Sequence, residues 1–285
     1  MNIEIIYEDK DIMAINKPPG VVVNEAKTVN EDTIQKWFWE KHDGFKDIST
    51  ASAKKEYKKL IPEDFDDSFG TPEEIFQTRQ GIVHRLDKET SGILLLAKNP
   101  GALVNLLSQF KKRTTKKKYL CLAHAKFGAP ADTISYPIAR STQNRMKFRV
   151  DIEGREATTA YKAVDFYDKL DLEKIEKSNL ENKETLLLKK YKNSYQGFSL
   201  VECWPKTGRT HQIRVHMAHI KHPLVGDKVY LGKKRVKLDP IWCKRHFLHA
   251  SKIEFTHPKT GEVVEFEAEL PNDLKKVLKL LKKVD

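Results

Sequence analysis

The sequence predicts an α+β fold (mixed α/β), in which strands and helices alternate along the chain without a simple repeat. Two kinds of segment lead to this prediction. Short apolar runs at 12–15, 93–97 and 119–123 have the length and composition of buried strands. Residues 100–113 and 272–281 instead place apolar side chains three and four positions apart, which is typical of helices with one buried face.

Length and charge narrow the class of protein. The chain has 285 residues, enough for one large domain or two small ones. Lys and Arg outnumber Asp and Glu by 52 to 40, which gives a net charge of +12. Such an excess favours a polyanionic partner, most often a nucleic acid, although it is also compatible with solubility alone.

The sequence does not support a secreted, membrane-spanning, disulfide-bonded or cysteine–zinc protein. The N-terminus lacks the basic and apolar regions of a secretory signal, and no run of about 18 apolar residues could span a membrane. Cys121, Cys203 and Cys243 are odd in number and widely spaced, which argues against a disulfide framework or a cysteine-based zinc site. We therefore expect a cytoplasmic protein with no membrane contact.

The N-terminal part reads as strands followed by a sharp turn. Residues 3–7 and 12–15 predict two strands, and Pro18, Pro19 and Gly20 then reverse the chain. Residues 21–23 are again strand-like, and residues 32–39 fit a helix.

Two charged segments interrupt this pattern. Residues 42–80 mix lysines with acidic residues, and we interpret them as an inserted, partly mobile surface segment. Residues 168–194 are also highly charged, and we interpret them as an elongated hairpin or a helical insertion.

The most informative stretch is residues 84–92, with the sequence His-Arg-Leu-Asp-Lys-Glu-Thr-Ser-Gly, directly before the apolar run 93–97. This places Asp87 in a tight turn at the edge of the core, between Arg85 and Lys88. On residue types alone, a carboxylate that is salt-bridged or caps a helix is the commoner explanation. The alternative is a carboxylate that does chemistry.

A basic run follows the next helix. Asn99 and Pro100 predict the start of that helix at its cap and first turn. Its C-terminal end is followed by a strand that contains Tyr119, so the charge is anchored to the core. We expect these side chains to contact phosphates rather than to form only a solvated face. The basic residues are Lys111, Lys112, Arg113, Lys116, Lys117 and Lys118.

Residues 206–216 form the second stretch whose residues could take part in binding or catalysis. Residues 205–209 predict a turn and residues 210–220 a helix with Thr210 at its N-cap, so backbone amides near Arg209 would favour an anion. A solvated helix is the plain alternative. A metal site is a third, but the spacing of the histidines does not converge and no His-Glu-x-x-His pattern accompanies them. These histidines are His211, His216, His219 and His222.

Residues 84–92 closely resemble the catalytic motif of the RluA-type pseudouridine synthases. Residues 206–216, Lys-Thr-Gly-Arg-Thr-His-Gln-Ile-Arg-Val-His, resemble the second signature of that family, about 120 residues further on. The turn at 16–20, the pair Lys118 and Tyr119, and residues 257–262 match further family elements. The resemblance covers nearly the whole chain apart from the two charged insertions.

The resemblance implies roles for individual residues. Asp87 would be the nucleophile, attacking either the sugar or the pyrimidine, and Tyr119 would stack on the uracil. Arg214 would pair with Asp87 and keep it ionised, and Arg85 would fill the gap left by the flipped nucleotide. Arg209 and His211 join the basic run as expected RNA contacts. No cofactor and no metal is expected.

The resemblance also implies an architecture and an activity. We expect a single catalytic domain over 1–285, with a central, largely antiparallel sheet, flanking helices, a basic active-site cleft and insertions at about 42–80 and 168–194. A monomer without an N-terminal S4-like RNA-binding domain is expected. The activity would be isomerisation of specific uridines in structured RNA, with large-subunit rRNA favoured over tRNA. A non-catalytic RNA-binding or ribosome-assembly protein on the same scaffold is the main alternative, and a metal-dependent nuclease is another.

Overall fold

The computed structural model describes residues 1–26, 31–43, 45, 50–177 and 181–283. The chain divides into two compact units. The first comprises Met1–Lys116 and Ala250–Glu269, and the second comprises Lys117–His249 and Leu270–Asp285.

Strands and helices are interspersed throughout the described residues. The strands are β1 Glu4–Glu8, β2 Ile12–Lys17, β3 Ser91–Ala97, β4 Lys116–His124, β5 Ala131–Ser135, β6 Ile138–Arg140, β7 Phe148–Val150, β8 Thr158–Leu170, β9 Phe198–Pro205, β10 Leu248–Thr256, β11 Val263–Glu267 and β12 Leu281–Lys283. The α-helices are α1 Ile34–Lys41, α2 Ala51–Lys58, α3 Pro72–Arg79, α4 Pro100–Lys112, α5 Leu172–Glu176, α6 Asn182–Tyr191, α7 Gln212–His219, α8 Arg235–Trp242 and α9 Asn272–Lys279. No helix in the described ranges is both long and apolar enough to cross a bilayer.

The first unit is built on a sheet with the strand order β1-β2-β3-β10, and β11 pairs with β10. The pairs β1-β2, β2-β3 and β10-β11 are antiparallel. Every residue of β3 is buried, which explains its uninterrupted apolar sequence. Helix α4 packs on this strand. It begins as predicted, because the side chain of Asn99 accepts the backbone N–H of Ala102 and Pro100 occupies the first turn.

The second unit has its own antiparallel order, β4-β9-β8-β12, with β5 paired to β8 and the separate hairpin β6-β7. Its largest apolar cluster packs α5, α6, α8 and α9 around residues such as Phe198, Trp242 and Leu188. The mixture of helices and antiparallel strands confirms the predicted α+β class.

The described parts of both charged segments fold as helices. In the first segment Tyr57 of α2 and Phe76 of α3 are buried, and the Tyr57 hydroxyl donates to Glu73 at 2.6 Å. In the second segment Ile175 and Leu188 are buried. Both segments therefore contribute side chains to the core. Their highly charged composition did not indicate this. Residues 21–23, in contrast, form only an isolated bridge from Val22 to Thr33 rather than the predicted strand.

Gly92 sits where the loop that carries Asp87 enters β3. Its φ is +115°, a conformation that side-chain-bearing residues rarely adopt. A methyl group at this position would also overlap the backbone carbonyl of Ala250 in β10. Only glycine lets β3 and β10 come this close directly after the loop.

We therefore expect Gly92→Ala to destabilise the protein by at least about 2 kcal/mol, because it adds both backbone strain and an overlap. Gly232→Ala is the matched control, since Gly232 has no atom within 4 Å of the added methyl group and no unusual φ. Urea unfolding of both variants measures the difference. Equal stabilities would contradict the assigned role of Gly92.

Candidate active site

The loop that carries Asp87 is anchored by buried apolar side chains that precede Asp87. Val83 and Leu86 are buried, Asp87 is half-buried and Arg85 is exposed. The turn closes with a hydrogen bond from the backbone N–H of Thr90 to the carbonyl of Asp87 at 3.0 Å. The buried side chains of Val83 and Leu86 fix the backbone of the loop, while Arg85 and Asp87 remain accessible at the surface.

Lys17, at the end of β2, holds this loop in place through hydrogen bonds from its side chain. Its side chain is fully buried, and its Nζ donates to the carbonyls of Pro18 at 2.8 Å, Val21 at 2.9 Å and Lys88 at 3.0 Å. The backbone N–H of Gly20 donates to the same Lys88 carbonyl at 2.9 Å. The turn at 16–20 is therefore bonded through Lys17 and Gly20 to the carbonyl of Lys88, the residue that follows Asp87. This role of Lys17 was not predicted, although a lysine directly before Pro18, Pro19 and Gly20 is the signal for it in the sequence.

Two other polar residues of the loop, His84 and Lys88, have structural partners. The Nε2 of His84 accepts the backbone N–H of Leu95 at 3.0 Å, and its ring stacks on Phe110 at 4.9 Å. His84 thus ties the loop to β3 and α4. Lys88 is exposed and pairs with Glu31 at 2.7 Å.

Tyr119 lies on β4 in the second unit, opposite Cys203 of β9. It is half-buried and packs against an apolar cluster that includes Ile213 and Met217 of α7. Because Ile213 directly precedes Arg214, this cluster packs β4 against the helix that carries Arg214.

Arg214 forms a buried ion pair with Asp227. The guanidinium is 4% exposed and the carboxylate 0%. Nε of Arg214 donates to Oδ2 and Nη2 to Oδ1 of Asp227, both at 2.8 Å, which is the two-bond geometry that arginine favours. Burial opposes ionisation of Asp227, but the hydrogen bonds and charge of Arg214 outweigh it, so the pKa of Asp227 is lowered. The guanidinium also lies over the ring of Tyr230, 5.2 Å from its centre.

The helix that carries Arg214 begins later than predicted. Its first residue is Gln212, and His211 at the N-cap has a φ of 56°, so the prediction of Thr210 as N-cap is wrong. The Oε1 of Gln212 accepts the Thr207 hydroxyl at 2.7 Å and the backbone N–H of Arg209 at 3.0 Å. The side chain of Gln212 thus takes the amide that we expected to face an anion.

His211 and Arg209 are also tied into the second unit. Nδ1 of His211 lies 2.9 Å from the Tyr230 hydroxyl, which accepts the backbone N–H of Phe148 at 3.0 Å. Nε of Arg209 donates to the Glu156 carbonyl at 3.0 Å. These contacts dock the β6-β7 hairpin onto the start of α7. Their role in binding RNA stays a prediction.

Three lysines of the basic run have carboxylate partners. Lys112 pairs with Asp64 at 2.7 Å, Lys116 with Glu254 at 2.7 Å and Lys118 with Glu202 at 3.2 Å. Such solvent-accessible pairs contribute at most about 1 kcal/mol each, so a phosphate could replace the carboxylate. Lys111 and Arg113 are exposed.

Lys117 differs from its neighbours. It is half-buried, and desolvation lowers the pKa of its ammonium group from 10.5 to about 8. A fraction of this side chain is therefore neutral at slightly alkaline pH.

The predicted site residues are shared between the two units. Arg85, Asp87, Lys111, Lys112, Arg113 and Lys116 belong to the first unit, and Lys117, Lys118, Tyr119, Arg209, His211 and Arg214 to the second. The pairing of Asp87 with Arg214 joins residues of different units and stays a prediction. In the described ranges, no group of three or more His, Cys, Asp or Glu side chains is arranged to hold a metal ion.

We expect Asp227→Leu to lower the free energy of unfolding by about 3–5 kcal/mol, because it leaves a buried guanidinium without its counterion. The double variant Arg214→Met with Asp227→Leu should lose less than Asp227→Leu alone. Glu254→Gln, which removes a solvent-accessible pair, is the control and should cost at most about 1 kcal/mol. Denaturant unfolding of the four proteins tests this, and a double variant that loses as much stability as Asp227→Leu or more would count against it.

Lys117 should make stability depend on pH in the alkaline range. The folded protein releases this proton near pH 8, whereas the unfolded chain keeps it to about 10.5. The wild type therefore carries the full burial penalty below pH 8 and gains stability as the pH rises towards 10.5. We expect Lys117→Met to be more stable than wild type at pH 7, with the difference shrinking by pH 10. Unfolding at both pH values measures it, with Lys116→Met as control; a difference independent of pH would refute the assignment.

Comparison with known proteins agrees with the sequence motifs. A family profile described as RNA pseudouridylate synthase matches residues 11–219. The chain is 32% identical over 283 residues to the uncharacterized RNA pseudouridine synthase YlyB of Bacillus subtilis, covering 99% of this chain and 74% of that protein. It is 35% identical to an uncharacterized RNA pseudouridine synthase of Aquifex aeolicus (96% and 72% covered) and 30% identical to ribosomal large subunit pseudouridine synthase D of Zymomonas mobilis (98% and 73% covered).

Solved structures share the fold. Human RNA pseudouridylate synthase domain containing 1 superposes with a TM-score of 0.63 at 23% identity, covering 99% of this chain and 89% of that one. Human RNA pseudouridylate synthase domain containing 4 gives 0.60 at 19% identity, covering 99% and 95%. The profile spans both signature stretches, and with these relatives it shows that the chain belongs to the RNA pseudouridylate synthase family.

Proposed function

We propose that this protein isomerises specific uridines of large-subunit rRNA, with Asp87 as the nucleophile. The observation that carries the proposal is the family match over residues 11–219, which includes Asp87, Tyr119 and Arg214 at the positions of the two signature stretches and the strand between them. Relatives named as large-subunit pseudouridine synthase D, at about 30% identity over nearly the whole chain, favour rRNA over tRNA.

The reaction rearranges the nucleoside without adding or removing atoms. The bond from N1 of uracil to C1′ of ribose breaks, and a bond from C5 to C1′ forms. C5 loses its proton and N1 gains one, so the net composition is unchanged. Asp87 attacks either C1′ of the sugar or C6 of the pyrimidine, and is released when the ring has turned and rejoined. A covalent step of this kind divides one difficult displacement into two easier ones.

A carboxylate nucleophile must be ionised and correctly aimed. The bonds from Lys17 and Gly20 to the Lys88 carbonyl fix the backbone beside Asp87, and the closed turn to Thr90 fixes it on the other side. Arg214 is the proposed cationic neighbour that favours the charged form. Asp227 holds one edge of its guanidinium through two hydrogen bonds.

Tyr119 and Arg85 have roles at the base. The uridine must leave its stack before it can react, and an aromatic ring can bind the extruded base. Tyr119, held against the apolar cluster beside α7, is the proposed stacking surface. Arg85 is exposed next to Asp87, so its guanidinium can occupy the space that the nucleotide leaves.

We expect Asp87→Asn to abolish isomerisation while RNA binding stays within about twofold, because only a charged oxygen nucleophile is lost. Release of tritium from RNA labelled at C5 of uridine measures the reaction, and filter binding measures affinity. Asp64→Asn, which alters an exposed carboxylate of the same unit, is the control and should retain full activity.

Chemical mapping of pseudouridine in total RNA from cells with and without the gene identifies the modified position. The position should return with the wild-type gene and not with the Asp87→Asn gene. Activity of the purified Asp87→Asn protein at the wild-type rate would refute the assignment of the nucleophile. RNA binding with no isomerisation by the wild type would instead indicate a non-catalytic RNA-binding protein.

A further inference from the structure

The end of the second insertion is fastened to α8. The guanidinium of Arg235, the first residue of α8, donates to the hydroxyl of Ser194 at 3.1 Å and to the Ser194 carbonyl. The same group lies over the ring of Tyr195, 3.7 Å from its centre. Helix α6 also contacts α8. The side chains at the C-terminal end of α6 and at the start of α8 therefore occupy one defined surface of the second unit.

Two lysines from these separate elements converge on one aromatic ring. Nζ of Lys234 lies 4.5 Å, and Nζ of Lys190 5.5 Å, from the centre of the Tyr191 ring. Each ammonium gains a modest cation–π attraction there. Two separate elements thus each contribute one cation to the surroundings of the same ring.

We call this surface the Tyr191 patch. It consists of Tyr191 and of five exposed lysines, which are Lys190, Lys192, Lys233, Lys234 and Lys237. Among the described residues, none of these five lysines forms a salt bridge, whereas the preceding Lys189 pairs with Glu176 at 2.7 Å. The patch is thus a concentration of positive charge that the described protein leaves uncompensated. It shares no residue with the two signature stretches or with the basic run at 111–118.

We propose that the Tyr191 patch binds the phosphate backbone of the RNA substrate outside the reacting nucleotide. This rests on the proposed function for the identity of the polyanion as RNA. Lysine ammonium groups bind phosphates as point charges without reading bases, so the patch adds affinity for large structured RNA but no base specificity. Its removal changes affinity and its salt dependence, and leaves the chemical step intact.

The test compares two variants that lose the same charge. Lys190→Gln with Lys234→Gln removes the two lysines at the Tyr191 ring. Lys276→Gln with Lys279→Gln removes two exposed lysines of α9 and is the matched control. Binding of a fluorescent transcript of large-subunit rRNA is measured from about 50 to about 300 mM KCl, where phosphate contacts dominate the salt dependence.

We expect the patch variant to bind about tenfold more weakly and the slope of log affinity against log salt to become shallower by about 1.4–1.8, as two lost phosphate contacts require. The control variant should stay within about twofold of wild type. On a short stem-loop substrate, kcat of the patch variant should equal that of wild type.

Equal losses in both variants would reduce the effect to net charge and overturn the proposal, as would no loss in either. Weaker binding of the patch variant to vesicles of equal parts phosphatidylcholine and phosphatidylglycerol, with the RNA slope unchanged, would assign the surface to membranes instead. The binding measurements are repeated in an Asp87→Asn background. Because this variant is not expected to isomerise RNA, the measurements then test binding by the patch alone. A negative result for the patch can therefore be told apart from a negative result for the proposed enzyme activity.

Discussion

The buried ion pair between Arg214 and Asp227 is the interaction on which the candidate site of the second unit depends. Both charges are removed from water, so each must be hydrogen-bonded, and the two parallel bonds at 2.8 Å provide this. The ring of Tyr230 supports the guanidinium, and the Tyr230 hydroxyl in turn holds His211 and the β6-β7 hairpin at Phe148. Apolar side chains of similar volume could stabilise such a core equally well. What they could not do is hold a guanidinium at a fixed position.

In the first unit, the buried ammonium group of Lys17 holds the loop at Asp87 in place. Lys17 donates to carbonyls from two separate turns, so its side chain sets the distance between the turn at 16–20 and the loop at Asp87. A bulky apolar residue could fill that space but would leave three carbonyls to find other donors. Gly92 adds a steric constraint on the other side of the loop, because only glycine lets β10 approach there. The backbone around Asp87 is therefore determined by Lys17 and Gly92.

Local signals in the sequence predicted the elements whose partners are also local. The start of α4 at Asn99 and Pro100 and the buried strand β3 were predicted correctly, since capping and periodicity act within a few residues. The start of α7 was not, because the side chain of Gln212 also bonds to Thr158 and Thr159, more than fifty residues away. The basic run looked uncompensated for the same reason. Its carboxylate partners come from distant segments, as Glu202 does for Lys118, 84 residues apart.

This difference in partners separates two kinds of basic surface. A lysine such as Lys112 or Lys116 must give up a carboxylate before it binds a phosphate, and although the lost pair is weak, the exchange yields little net gain. At the Tyr191 patch no such pair among the described residues has to be broken, and ammonium groups from two elements lie around one ring. Each contact at the patch should therefore contribute more to RNA affinity than a contact in the basic run. Formal charge along the sequence does not reveal this ranking, because it depends on which cations the fold has already neutralised.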